Sequence, residues 1–279
     1  MDACRIAELL EPFLAAEAPS NTQDLISSIS TYVDLLLRWN ARTNLTAIRD
    51  PEEIVTRHFG ESLFAARHLF PNRNSLPVLS SQLLSSRPEG VGERSEPTHA
   101  VEGPWVPLGT PLPSELKDAS ASRGQSGAKS TRPTSNDQTS ATRSRLSLAD
   151  IGSGPGFPGL PIKLWAPHLC LTLVESNQRK ATFLREVTRA LTLTDVNIQV
   201  ARAESLPPAT FDVVTLRAVE RFGQILRTSA ALVRPQGCLA LLITSAQIPQ
   251  AKSTLPSATW DKPHPIPLSS SRVLLKTML

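Results

Sequence analysis

The sequence predicts an open α/β domain, a largely parallel sheet covered by helices on both faces, preceded by a small helical region. Three observations carry this expectation. From Ser147 onward, short apolar runs alternate with helical stretches, the pattern of strands joined by crossover helices. The first run opens directly into "LADIGSGPGFPGLP" (residues 148–161), a glycine-rich turn at the carboxyl end of a strand, where open α/β sheets hold ligands. Residues 1–71 instead carry a 3.6-residue period, with Leu9, Leu10, Phe13 and Leu14 on one stripe and Ile26, Ile29, Val33, Leu36 and Leu37 on another.

Those two stripes predict two amphipathic helices. A third is announced by Asp50-Pro51-Glu52-Glu53, where Asp50 caps, Pro51 suits the first helical position and Glu53 stands where a capping box needs it; this helix should run to about His68. Composition then changes. Between Asn72 and Leu146, 34 of 75 residues are Ser, Pro, Gly or Thr and no period is sustained, so little apolar surface offsets the entropy of ordering. Nine basic residues against seven acidic ones argue against a dedicated nucleic-acid tail there. The expected organisation is a helical region at 1–71, a disordered insertion at 72–146 and a sheet domain at 147–279.

In the sheet domain the strands fall at Leu148–Ile151, Leu169–Val174, Val196–Val200, Phe211–Thr215 and Leu239–Ile243, with a last one near Arg272–Lys276. Helices fall at about 159–166, 177–192 and 221–233. Formal charge divides unevenly: residues 1–71 hold six basic and ten acidic side chains, net −4, while 147–279 hold 14 and eight, net +6. A polyanionic partner should therefore meet the sheet domain.

Several classes are set aside. No run approaches about 18 apolar residues, so no ordinary membrane span is expected, and Glu8, Glu11 and Glu17 interrupt the N-terminal apolar positions where an export signal would need a basic start. Cys4, Cys170 and Cys238 are far apart and without metal-ligand spacing, which predicts buried, reduced thiols in a cytoplasmic protein and no metal; a monomer is expected.

The loop Gly152-Ser153-Gly154-Pro155-Gly156 lets a ligand touch bare backbone. Gly154 to Gly159 matches GxGxxG, which on its own leaves an NAD(P)-dependent oxidoreductase open. Asp150 before the loop would repel a pyrophosphate and reach toward a cationic ligand, and Pro158 and Pro161 remove amide donors from the helix start. Glu175, about 20 residues on at the end of the second strand, suits ribose hydroxyls. Together these favour S-adenosylmethionine as cofactor.

"DIGSGPGFPGLPIKL", "LVESNQRKATFL" and "FDVVTLRAV", with the N-terminal "LLRWNARTNLTAI" and "RHFGESL", closely resemble the bacterial small-subunit rRNA guanine-N7 methyltransferases, the glucose-inhibited division protein B family. The resemblance covers about residues 24–71 and 147–245. It implies a class I, Rossmann-like methyltransferase fold with a seven-stranded, mostly parallel sheet, S-adenosylmethionine as donor, and N7 of a guanine in the decoding-region loop of 16S rRNA as acceptor. Carried over by position, it puts cofactor contacts on Gly152, Phe157, Ala203, Glu204 and Arg217; the reading of the residues themselves adds Gly154 and Gly156 of the loop and Glu175 at the end of the second strand. Guanine N7 carries a lone pair and no proton, so no catalytic base is expected. Arg57, His58, Arg179 and Lys180 are candidates for the substrate side or the rim. Arg217 has a structural alternative, pairing with Asp212 or Glu220.

The sequence departs from the family pattern in three places: Glu61 replaces an Asp, Ile243 stands where a Lys is usual, and the 72–146 segment has no counterpart. The missing lysine keeps open a catalytically silent rRNA-binding relative.

Overall fold

The computed structural model describes residues 1–14, 22–71, 145–217 and 221–279. The Pro/Ser/Gly-rich segment therefore lies outside the described residues except for Arg145 and Leu146. Composition had assigned both to the insertion, but they lead into the sheet: the Leu146 carbonyl accepts from the Cys170 amide at 2.9 Å, and Arg145 pairs with Asp195.

Helices α1 (Ala3–Leu14) and α2 (Thr22–Thr43) bury the expected stripes, with Leu9 and Leu37 half-covered at their edges. The third helical segment runs from α3 (Pro51–Glu53) through a π-helical stretch (Ile54–Gly60) into α4 (Glu61–Leu69). Asp50 caps it by accepting from the Glu53 amide at 2.8 Å. The reciprocal half of the capping box does not form, because the Glu53 carboxylate is drawn to Arg57 one turn on, at 2.8 Å.

The sheet is built from β1 (Ser147–Ile151), β2 (Cys170–Val174), β3 (Val196–Gln199), β4 (Phe211–Arg217), β5 (Val233–Thr244), β6 (Thr259–Trp260), β7 (His264–Pro265) and β8 (Arg272–Met278). Its order is β3-β2-β1-β4-β5-β8-β6, with β7 also on β8; the first five strands run parallel and β8 is antiparallel to β5. Eight strands appear where seven were expected. Pro263 and Pro265 withhold ladder donors from the stretch beside β8, so it pairs as two short pieces, β6 and β7.

Crossover helices α5 (Gly159–Trp165), α6 (Gln178–Ala190), α7 (Phe222–Leu232) and α8 (Ile248–Thr254) cover two faces. Strand alternation sorts the apolar side chains between them. Leu148, Val213, Ala240, Leu242 and Leu274 join a core shared with α1, α2, α4, α5 and α6, whereas Ala149, Val214, Leu241, Ile243 and Val273 join a second core under α7 and α8. The N-terminal helices thus help to cover one face of the sheet, and Asp150, Thr215 and Arg217 lie at positions that face them. The cysteines depart from the expectation of burial: Cys238 is buried in β5, Cys170 half-buried at the start of β2, and Cys4 exposed, because it falls on the solvent side of α1.

Candidate active site

The loop after β1 keeps its shape through its own backbone. The Val174 carbonyl accepts from the Gly152 and Ser153 amides at 2.9 and 3.1 Å, and the Ser153 carbonyl accepts from Gly156 at 2.7 Å. Gly154 and Gly156 have φ of +55° and +97°, values that L side chains rarely adopt. Their surroundings differ. A Cβ on Gly154 would meet nothing closer than 3.9 Å, whereas one on Gly156 would run into the Tyr32 hydroxyl and Leu160. Gly154 therefore has room beside its Cα, though its backbone is buried and its amide is held by Glu175, and Gly156 makes room for α2.

Beside the loop lies a cleft of about 410 Å³ at the carboxyl ends of β1 and β2. Gly152, Glu175, Ala203 and Glu204 line it, so four of the expected cofactor residues come together. Arg202, Arg221 and Gln224, which sequence reasoning did not single out, complete the far wall. They follow strand or helix boundaries, which is the signal that could have marked them. The Glu175 carboxylate accepts from the Gly154 amide at 2.9 Å and the Asn177 amide at 2.7 Å, which aims it along the loop; a carboxylate has lone pairs left for two ribose hydroxyls. A partly bare cleft of this kind, with Glu175 and Glu204 set against Arg202 and Arg221, fits an adenosine ligand.

Asp150 does not reach into that cleft. Fully buried beneath the loop, it accepts from the Gly159 amide at 3.1 Å and the Thr215 hydroxyl at 2.9 Å, so it holds loop and α5 to the sheet. Burial raises its pKa to about 6 against those bonds.

Gly154, Gly156, Phe157 and Arg217 also stand off the cleft lining. Phe157 is stacked between Tyr32 (5.3 Å, 9°) and His58 (4.7 Å, 17°), with Phe59 edge-on at 5.0 Å. Tyr32 donates its hydroxyl to the Pro155 carbonyl, clamping the loop from above. His58 is fixed in turn by Thr46, whose hydroxyl lies 2.8 Å from Nε2, and Thr46 exchanges two hydrogen bonds with the buried Asn40 side chain. The "WN…NLT" and "RHFGES" stretches are therefore one connected brace on the glycine loop. Burial, then the charges of Arg217, Arg57 and Arg272, lower the His58 pKa to about 3, so its ring is neutral.

Arg217 does not pair with Asp212, one of the two structural partners named from sequence. Its Nη2 donates to Glu61 Oε2 at 3.0 Å and to the Arg57 carbonyl at 2.6 Å, across from the N-terminal helices; Asp212 is held by Ser147 and Arg234, and Glu220 lies outside the described residues. Arg272, which sequence reasoning missed, approaches the same Glu61 oxygen with Nε at 2.9 Å. Burial lowers the Arg217 pKa to about 10, Glu61 opposing the shift. Arg179 and Lys180 stand in the first turn of α6, whose cap Asn177 accepts both their amides, outside the cleft lining. Ile243, at the lysine position, is buried in the second core, on the face away from Arg217.

Comparison with known proteins adds the family. Residues 25–79 and 137–259 match the model of the rRNA small subunit methyltransferase G family. The chain is 30% identical over 253 residues to ribosomal RNA small subunit methyltransferase G from Xanthomonas campestris pv. campestris (strain 8004), covering 90% of this chain and 84% of that one. It is 31% identical over 239 residues to the protein of the same name from Stenotrophomonas maltophilia (strain K279a), covering 85% and 77%. Among solved structures, M. jannaschii TYW2 in complex with AdoMet aligns with 47% of this chain and 67% of that one, at 13% identity and a TM-score of 0.40.

Proposed function

Because the chain belongs to the rRNA small subunit methyltransferase G family, we propose that it methylates N7 of a guanine in the decoding-region loop of 16S rRNA. It is an S-adenosylmethionine-dependent methyltransferase, which sets aside the oxidoreductase suggested by GxGxxG. When bound, the cofactor supplies an electrophilic methyl group on a sulfonium. Gly152, Gly154 and Glu175 would hold its nucleoside part along the first two strand ends, and Ala203 and Glu204 would close the opposite wall.

The observation that favours N7 is the state of the titratable groups around the loop. His58 is neutral, buried and bonded to Thr46; Asp150 is committed to Gly159 and Thr215; Arg217 is committed to Glu61. A site so arranged positions its reactants and moves no proton, which suits an acceptor whose in-plane lone pair is already free. Arg57, Arg179 and Lys180 would supply cations on the RNA side.

Incubation of the protein with 30S particles or 16S rRNA and labelled S-adenosylmethionine, followed by reductive cleavage at 7-methylguanosine, should give one scission in the decoding-region loop. Methyl incorporation without scission would overturn N7; RNA binding with no transfer to any RNA form would leave the silent relative.

A further inference from the structure

A second cavity, of about 330 Å³, opens on the same edge of the sheet as the cofactor cleft but on the β5–β8 side. Its walls are Thr56 and Arg57 of the π-helical stretch, Glu61 of α4, Arg272 of β8 and the loop Pro267–Ser271. The registers fix its place. Leu216 of β4 is opposite Ile151 of β1, so Arg217 stands beside the first glycine of the loop; Arg217 is opposite Leu242 of β5, and Thr244 of β5 is opposite Arg272. Three strand spacings of about 4.8 Å put Arg272 roughly 14 Å across the sheet from the loop.

Among the described residues Arg217 and Arg272 share the Glu61 carboxylate, with side chains 7%, 17% and 3% exposed respectively; buried Asp150 also attracts Arg217, whereas Arg272 has no second carboxylate within ion-pair range. Arg57, at the mouth, is balanced by Glu53 outside it. Arg272 lies within ion-pair range of Glu61, yet its Nε is not aligned for a hydrogen bond, and among the described residues no acceptor is aligned with its guanidinium. A largely covered guanidinium that shares its one carboxylate and has an unaligned donor gains from an anion that completes it. A planar fork with free donors, beside Ser269, Ser270 and Ser271 and without a competing acidic group on the loop, has the chemistry of a phosphate site.

We propose that this notch binds one backbone phosphate of the RNA substrate, with Arg272 as its principal ligand, and so sets where the strand lies relative to the methyl donor. The assignment rests on the reading of the protein as an rRNA methyltransferase. It also locates a rim cation: the family's lysine position is filled by the buried Ile243, and the positive charge comes from the neighbouring strand instead.

The test uses the full chain and labelled 16S rRNA, with Arg272→Gln, Arg272→Lys and Leu268→Asp. Leu268 is 74% exposed in the notch loop with φ of +57°, a conformation Asp tolerates better than Leu, so that variant adds a repelling charge without disturbing the Glu61 cluster. Arg272→Gln should raise KM for rRNA about tenfold and reduce the slope of log affinity against log salt by about 0.7 to 0.9. S-adenosylhomocysteine affinity should stay unchanged, Arg272→Lys should recover the slope, and Leu268→Asp should raise KM with an unaltered melting temperature. If Arg272→Gln proves unstable, Leu268→Asp decides. Wild-type slope and KM in both variants, in a preparation that methylates rRNA, would overturn the phosphate site and leave the enzyme reading standing. A changed slope in a preparation that transfers no methyl group would support the site and overturn the N7 reading. Inorganic phosphate that protects the wild type, but not Arg272→Gln, against heat while the RNA slope stays constant would mark a small-anion site and overturn the backbone assignment.

Discussion

Glu61 on α4 and Arg217 at the end of β4, 156 positions apart in sequence, meet at 3.0 Å with almost no solvent between them. Removing one partner of such a pair leaves the other charge buried and unmatched, at a cost of about 3–5 kcal/mol. Glu61→Ala is therefore expected to lower the urea midpoint sharply, with two guanidiniums left facing each other. Glu61→Asp, which restores the residue usual in the family, should retain most of the stability. Equal losses in the two variants would show that side-chain volume, not charge, holds this junction.

The Tyr32 hydroxyl is the only polar hold that α2 has on the glycine loop among the described hydrogen bonds. Tyr32→Phe keeps the stack on Phe157 and deletes that hold, which should cost about 1 kcal/mol. Calorimetry with S-adenosylhomocysteine should show a several-fold loss of affinity, since a loop released at Pro155 samples other shapes. Unchanged affinity would mean that the aromatic stack alone fixes the loop.

His58 and Asp150 make opposite contributions to acid stability. The folded His58 pKa is about 3 against 6.5 for the free group, so the unfolded chain binds the extra proton and stability is lost as pH falls through that window. The folded Asp150 pKa is about 6 against 3.8, so the folded chain binds the extra proton and this contribution grows as pH falls from 6 to 3.8. In the wild type the two slopes oppose each other. Asp150→Asn should uncover the histidine: relative to wild type, the variant should lose about 1.4 kcal/mol per pH unit below pH 6. Urea titrations between pH 7 and 4.5 measure this, and parallel curves for the two proteins would sink it.

The two loop glycines should separate ligand binding from folding. Gly154→Ala puts a methyl into open space at a left-handed position, costing about 1–2 kcal/mol of strain. Its larger effect should be on S-adenosylhomocysteine affinity. Gly156→Ala collides with Tyr32 and Leu160, so it should lose stability first. Equal affinity losses per unit of lost stability would contradict the distinction.

Local pattern made the parallel strands legible, because alternation and length read directly from runs such as Leu239–Ile243. It also placed Gly152 and Glu175 together, since each follows a strand and strand ends converge at one edge, whereas Ala203 and Glu204 came from the family resemblance alone. What escaped was side-chain direction. Asp150 reads as a ligand carboxylate until the pleat turns it under the loop, toward Thr215. Arg272 starts a strand with no motif around it, and its partner Glu61 lies near the other end of the sequence. The division of one strand at Pro263 and the π-helical turn at Ile54–Gly60 depend on neighbours that no short window contains.

The core shared by the N-terminal helices and the sheet has a temporal consequence. Tyr32 waits 123 residues for Pro155, and Trp39 waits 147 for Glu186. At a synthesis rate of about 5–20 residues per second, Tyr32 meets its partner roughly 6–25 s after it is made. During much of that interval the apolar stripes of α1 and α2 have no sheet to cover them, so the order of synthesis leaves this surface exposed until the second half of the chain arrives.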